Sequence, residues 1–253
     1  MSHSDGKQPL LSVKELSKSF GGVRAVVDIG FDLRQGELLG LIGPNGSGKT
    51  TLVNLITGFV KPDAGRIEFR GQDITGWMPY RIARLGIART FQMVRPFAEL
   101  PAFKNLIIPL FSPRVRGLAG GLYGDRDSIS KDLLEEVGFE RESSVTFKPA
   151  GSLPHGYLKR LELAKCLALR ADLIILDELF SGLSIAELAS IVPIIEKLMV
   201  EGKTIIMIEH RLRELFRIAD RAIVLNFGAV VADGKPSDVM ETEEVKQAYL
   251  GTE

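Results

Sequence analysis

The chain has 253 residues, 45% hydrophobic and 25% charged, an ordinary globular composition with length for one large α/β domain or a core with a subdomain. Lys+Arg and Asp+Glu both number 32, for a formal net charge of zero, which argues against a dedicated nucleic-acid binder, whose phosphate contacts need a basic face. The one cysteine, Cys166, excludes an intrachain disulfide and favours a reducing, cytosolic setting.

Residues 1–8 are polar and lack the apolar stretch of a signal peptide. No run approaches the roughly 18–20 apolar residues that span a bilayer, so a role at a membrane requires another chain to cross it. Residues 10–42 alternate short apolar runs with glycine and polar breaks and predict strands, the last of them, 37–42, ending in a glycine-rich loop. Beyond the loop Leu52, Leu55 and Ile56 fall at helical spacing, with Gly58 as the stop. Residues 66–70, before Gly71, predict a further strand. Between about 90 and 165 the character changes: Pro96, Pro101, Pro109, Pro113 and the glycine-rich region 117–124 punctuate short helical pieces such as 130–137. This stretch reads as a helical insertion in an α/β core.

From Leu173 the α/β pattern returns. Residues 173–176 predict a buried strand. Ser184 opens a helix with Glu187 completing a capping box. Leu188, Ile191, Ile195 and Leu198 lie along one face of that helix, and a kink is expected at Pro193. Residues 204–208 predict another buried strand, and 222–225 and 229–232 a hairpin through Asn226-Phe227-Gly228.

Gly43-Pro44-Asn45-Gly46-Ser47-Gly48-Lys49-Thr50 matches the phosphate-loop pattern G-x-x-x-x-G-K-[ST] in full. Successive backbone N–H groups must line one concavity to hold phosphate oxygens, glycines permit that path, and the following helix adds the positive end of its dipole. Lys49 is expected to reach the β- and γ-phosphates of ATP, Thr50 to ligate Mg²⁺, and Thr51 to contact the nucleotide beside it. A loop of this kind needs a carboxylate partner. Leu173-Ile174-Ile175-Leu176 carries Asp177 and Glu178 to the polar end of a buried strand, where ligands bind in α/β sheets. Asp177 is placed to hold Mg²⁺ through water, and Glu178 is the candidate base for the attacking water.

With these motifs in this order the chain resembles the ABC ATPases over nearly its whole length. The resemblance implies one cassette over 1–253: a P-loop NTPase core (9–90 and 166–253) with an antiparallel β subdomain, and a helical, signature-bearing subdomain (91–165). It also implies further roles. Phe20 stacks on adenine, Gln92 senses Mg²⁺ and the γ-phosphate, and His210 contacts the γ-phosphate. Pro154, His155, Gly156 and Tyr157, after Leu153, stand where the family places its LSGGQ signature, which closes over ATP bound to the other subunit. Here the signature serine is Pro154, which has neither hydroxyl nor N–H, the next glycine is His155, and the glutamine is Tyr157. Leu179 replaces the proline common after the glutamate, and Ser184 the aspartate that ends the following loop.

Residues 86–92, 161–165, 208–210 and 248–251 resemble the ATPase subunits of branched-chain, or hydrophobic, amino-acid uptake systems. Such systems imply a second, non-identical ATPase subunit, two transmembrane permease subunits, and indirectly an extracytoplasmic binding protein. The chain would then sit peripherally on the cytoplasmic face of the membrane, with Met93, Val94, Pro96 and Phe97 touching a permease. Urea and amide importers are close relatives of this type. Three readings stand. An ATPase powering import is favoured by Glu178 and His210. A nucleotide-binding regulatory subunit with one degenerate composite site is favoured by Pro154 and His155. A soluble ABC ATPase of translation or DNA repair would need two cassettes in one chain or a long inserted coiled coil, and the sequence has neither.

Overall fold

The computed structural model describes residues 8–118, 125–141 and 143–250. Residues 1–7, most of the glycine-rich region after 117, and Gly251 lie outside them. β1 (Leu11–Phe20) and β2 (Val23–Leu33) pair antiparallel, Leu11 opposite Leu33 and Phe20 opposite Val23. Their register shifts around Glu15 and Asp28, both at φ +50°, the mark of bulges that bend the ribbon. β3 (Leu38–Ile42) is buried at all five positions and leads through the loop into α1 (Lys49–Ile56), whose Leu52, Val53, Leu55 and Ile56 face inward. β4 (Ala64–Phe69) and the short β5 (Gln72–Asp73) complete an antiparallel sheet in the order β2-β1-β4-β5. The strand expected at 66–70 thus starts two residues earlier, and it stops at Phe69 because Arg70 turns to φ +53°.

α2 (Pro79–Leu85) and β6 (Ile87–Arg89) follow. Short helices follow, α3 (Ile107–Leu110) with Pro109 inside it, α4 (Pro113–Leu118) opening on a proline, α5 (Arg126–Glu136) capped by Asp125, and α6 (Ser144–Phe147). α7 (His155–Ala168) leads to β7 (Leu173–Asp177). α8 (Ile185–Val200) opens on the capping box: the Ser184 hydroxyl accepts from Glu187 N, and the Glu187 carboxylate accepts from Ser184 N at 2.8 Å. It runs unbroken through Pro193 and buries Leu188, Ile191, Val192, Ile195 and Leu198. The chain ends with β8 (Thr204–Ile208), α9 (Leu212–Ile218), β9 (Arg221–Asn226), β10 (Ala229–Gly234), α10 (Pro236–Val239) and α11 (Glu243–Leu250).

The chain divides into two compact units, one up to Ile82 and from Thr204 onward, the other Ala83–Lys203. In the first, β3 lies parallel between β8 and β9, with Leu41 level with Ile208 and with Ile223, and β10 pairs antiparallel with β9. The interior residues of β3 and β8 are apolar without alternation, as strands covered on both faces must be. Each such Leu or Ile contributes about 1.5–3 kcal/mol by burial. The β9–β10 turn places Phe227 at φ +45° and Gly228 at φ +81°, the two positive values a two-residue hairpin loop demands. In the second unit, β6 and β7 pair parallel, Ile87 level with Leu173 and Arg89 with Ile175. Among the described residues, no helix is long and apolar enough to cross a membrane.

Candidate functional site

In the first unit the sheet brings the phosphate loop to one edge. Gly43, straight after β3, has φ +148°, and a Cβ there would fall 2.1 Å from the Leu225 carbonyl oxygen. Gly48, at the N-cap of α1 with φ +104°, would meet the Ala25 carbonyl oxygen at 2.4 Å. The loop backbone therefore lies against β9 and β2 in a path only glycine permits at these two points. Lys49 is 6% exposed, and its Nζ donates to the carbonyls of Gly43 at 2.8 Å and Pro44 at 2.9 Å. The ammonium is thus folded across its own loop. α1 has no side-chain cap and no acidic residue in its first turn, so the helix itself brings no anion to its dipole end. Thr50 is exposed and Thr51 half-buried.

Two further residues of that unit were expected at the site. His210 is exposed, two residues past the end of β8. Because Leu41 lies level with Ile208 in the parallel pair, continuing the register puts His210 level with Gly43. Phe20 ends β1, 48% exposed, with the Lys18 ammonium 5.4 Å from its ring centre.

The second unit carries the carboxylates. Asp177 closes β7, buried, and its Oδ2 accepts from Arg89 Nη2 at 2.7 Å. Arg89, at the end of neighbouring β6, is itself buried, so the carboxylate enters the interior with its counter-charge. Thr90 Oγ1 accepts from Asp177 N at 3.0 Å. Glu178 then takes φ +50°, rare for a residue with a Cβ. Gln92 Nε2 donates to Glu178 Oε2 at 2.8 Å, which brings together two residues that the sequence singled out separately. Beneath them Lys159 Nζ donates to the Glu178 carbonyl at 2.8 Å.

The signature segment belongs to the same unit. Pro154 is the N-cap of α7, and its carbonyl accepts from Tyr157 N and Leu158 N. A residue without N–H suits a position where the helix would leave that donor unpaired. His155 Nε2 lies 3.2 Å from the Ser181 carbonyl oxygen. A carbonyl only accepts, so Nε2 carries the proton. At Gly156 a Cβ would stand 2.4 Å from Glu187 Oε1, so the glycine lets the carboxylate approach the start of α7. The Ser184 N–H and hydroxyl, then the Gly156 N–H and the charge of His155, hold the Glu187 carboxyl below the usual range. Tyr157 packs edge-on against Phe139 at 4.9 Å, with the Arg160 guanidinium 5.6 Å from its ring.

Sequence reasoning assigned no role to Arg89 or Lys159, and to Glu187 only its place in the capping box, which the structure shows. For Glu187 the capping-box spacing was a signal of position, though not of its contact with Gly156. Arg89 and Lys159 left none beyond a basic residue in an apolar stretch.

The family model described as ABC transporter matches residues 26–181. The high-affinity branched-chain amino acid transport ATP-binding protein LivG of Escherichia coli (strain K12) is 37% identical over 254 residues, covering 96% of this chain and 98% of LivG. BraF of Pseudomonas aeruginosa, of the same description, is 35% identical, again over 96% of this chain and 98% of its own. Among solved structures, a nucleotide-free ATP-binding cassette from an ABC transporter superposes with a TM-score of 0.83 at 29% identity, covering 96% of this chain and 99% of that one. The ADP conformation of an ABC transporter cassette gives 0.82 at 30% identity, covering 97% and 100%.

Proposed function

The chain belongs to the ABC transporter family as an ATP-binding subunit, and from that membership we propose that it is the ATP-hydrolysing motor of an importer for branched-chain or other hydrophobic amino acids. The observation that carries the substrate class is the likeness to LivG and BraF over 96% of the chain. A urea or amide importer is the neighbouring alternative. The motor would work with a second, non-identical ATPase subunit and two permeases, on the cytoplasmic face, and receive solute from an extracytoplasmic binding protein. Met93 and Phe97, exposed after Gln92, offer the apolar surface for a permease helix.

The loop fits a triphosphate: glycine backbone lies where a Cβ would clash, and an ammonium is already held over the loop carbonyls. On nucleotide binding Lys49 exchanges those carbonyls for β- and γ-phosphate oxygens, and residues 43–51 supply backbone donors. Phe20, with its exposed ring, stacks on adenine. By their motif roles Thr50, Gln92 and Asp177 would hold Mg²⁺, which would supply charge neutralisation to the triphosphate. Glu178 accepts a proton from the attacking water, whose oxygen bonds to the γ-phosphorus as the bond to the bridging oxygen breaks and ADP leaves. His210 contacts the γ-phosphate. Residues 154–157 serve the ATP on the partner cassette.

The test is uptake and ATP turnover in the assembled transporter. Lys49→Ala should abolish most ATP binding or turnover and, with it, uptake of labelled leucine. Unchanged nucleotide affinity together with unchanged uptake overturns the loop assignment, and uptake of urea but not leucine replaces the substrate class. A regulatory role at one composite site remains the second reading, favoured by the engagement of His155 with Ser181.

A further inference from the structure

We infer that Lys159 is a positioning residue for hydrolysis, a buried ammonium that sets the backbone on which Glu178 and Gln92 face each other; this rests on the reading of Glu178 as the base. Lys159 lies in the second turn of α7 and is 2% exposed. Burying an ammonium is unfavourable unless its donors are used. Nζ lies 2.8 Å from the Glu178 carbonyl oxygen and 3.5 Å from that of Gln92. These are the two residues whose side chains meet at 2.8 Å. One cation therefore faces the main chains of the same pair that is joined through its side chains.

The backbone of Glu178 explains why such a tie is needed. At φ +50° a residue with a Cβ is strained, and surrounding contacts must hold it there. Two donors converge on the Glu178 carbonyl: Lys159 Nζ, and Ser181 N at 3.2 Å. The second closes the turn, and the first anchors that turn to α7. An ammonium suits the task because it carries three donors in one compact head, enough to serve two carbonyls, and charge strengthens each bond. The same helix meets the segment further along, through His155 on Ser181 and through the close approach of Glu187 Oε1 to Gly156. Lys159 is the contact of the three that acts on Glu178 itself. The loop at 43–51 and Phe20, which carry the triphosphate and adenine contacts of the proposed site, take no part in these bonds of Lys159, so the role predicts a loss of turnover much larger than any loss of affinity.

The experiment measures kcat and KM for ATP in the assembled transporter whose partner cassette is disabled. Lys159→Met, which keeps the stem and removes the donors, should lower kcat by about ten- to hundredfold with KM within about twofold. Lys159→Arg, which keeps charge and donors, should recover most of the rate. A role in stability alone would lower the thermal midpoint and the active fraction while leaving the kcat per folded complex unchanged, and that result overturns the inference. If the Met variant does not assemble, Lys159→Gln serves: reduced kcat at unchanged KM supports the role, and a wild-type kcat refutes it. Glu178→Gln is measured alongside. Wild-type turnover there overturns the base assignment and this inference together, whereas an inactive Glu178→Gln beside a fully active Lys159→Met overturns this inference alone.

Discussion

Glu178 leaves β7 in a left-handed conformation with one carboxylate oxygen bonded to the Gln92 amide, and that bond orients the carboxylate. Glu178→Gln isolates its chemistry. The amide oxygen can still accept from Gln92, so position survives while the proton acceptor is lost. Hydrolysis on this chain's loop should fall by about 10²–10⁴-fold, with ATP binding retained and the closed dimer long-lived. Single-turnover hydrolysis in a complex whose partner site is disabled checks this, and a normal rate removes Glu178 from the role. The residue types of this centre were legible because each belongs to a motif fixed by the phosphate chemistry. Arg89 and Lys159 were not, since their partners lie far along the chain: 88 residues separate Arg89 from Asp177, and 67 separate Lys159 from Gln92. No local pattern records such a pairing.

α8 depends on a small set of bonds at its first turn. Ser184 and Glu187 cap it reciprocally, and Glu187 Oε1 stands close to Gly156 at the start of α7. Ser184→Ala should cost about 1 kcal/mol of stability, read from a denaturant midpoint. Glu187→Gln adds a pH signature. The folded carboxyl titrates below its ordinary range, chiefly through the Ser184 N–H. Its stabilisation is thus present above the unfolded pKa of about 4.3 and is lost as pH falls through the lower folded value. The stability gap between wild type and Glu187→Gln should be constant near neutrality and shrink below about pH 4; a gap independent of pH down to acid unfolding refutes the charge role. The long elements were legible because a buried strand or amphipathic helix repeats its signal. α2, α9, α10 and α11 were not read out, being four to eight residues long and lacking the adjoining motif that marked the equally short α1. The same limit hid β6, a three-residue strand within a segment noticed only for its motif.

At the scale of the whole molecule, the likeness to LivG and BraF along 96% of the chain makes it an ATP-binding subunit of an ABC transporter. The fold class followed from motif order, and the departures from the signature became interpretable only with coordinates. Pro154 fits the helix start, and His155 is committed to the Ser181 carbonyl, so the imidazole has a use inside its own unit. We expect the two composite ATP sites of the transporter to be unequal. On the proposed motif roles, the site on this chain's loop would draw on Lys49, Asp177, Glu178 and His210, while its partner's site would receive a signature with no hydroxyl at position 154. One missing hydrogen bond to a charged phosphate costs about 1.5–3 kcal/mol, roughly ten- to hundredfold in affinity for the closed state. Pro154→Ser should therefore raise ATP affinity or turnover at the partner's site and leave this chain's site unchanged. Adding His155→Gly supplies the second glycine but releases the Ser181 carbonyl, three residues beyond Glu178. The double variant should keep the gain at the partner's site and slow hydrolysis at this chain's own. Each site is read separately by disabling the other at its loop lysine. Equal turnover at the two sites beforehand, with no gain from Pro154→Ser, would show that the signature in this branch works without the serine.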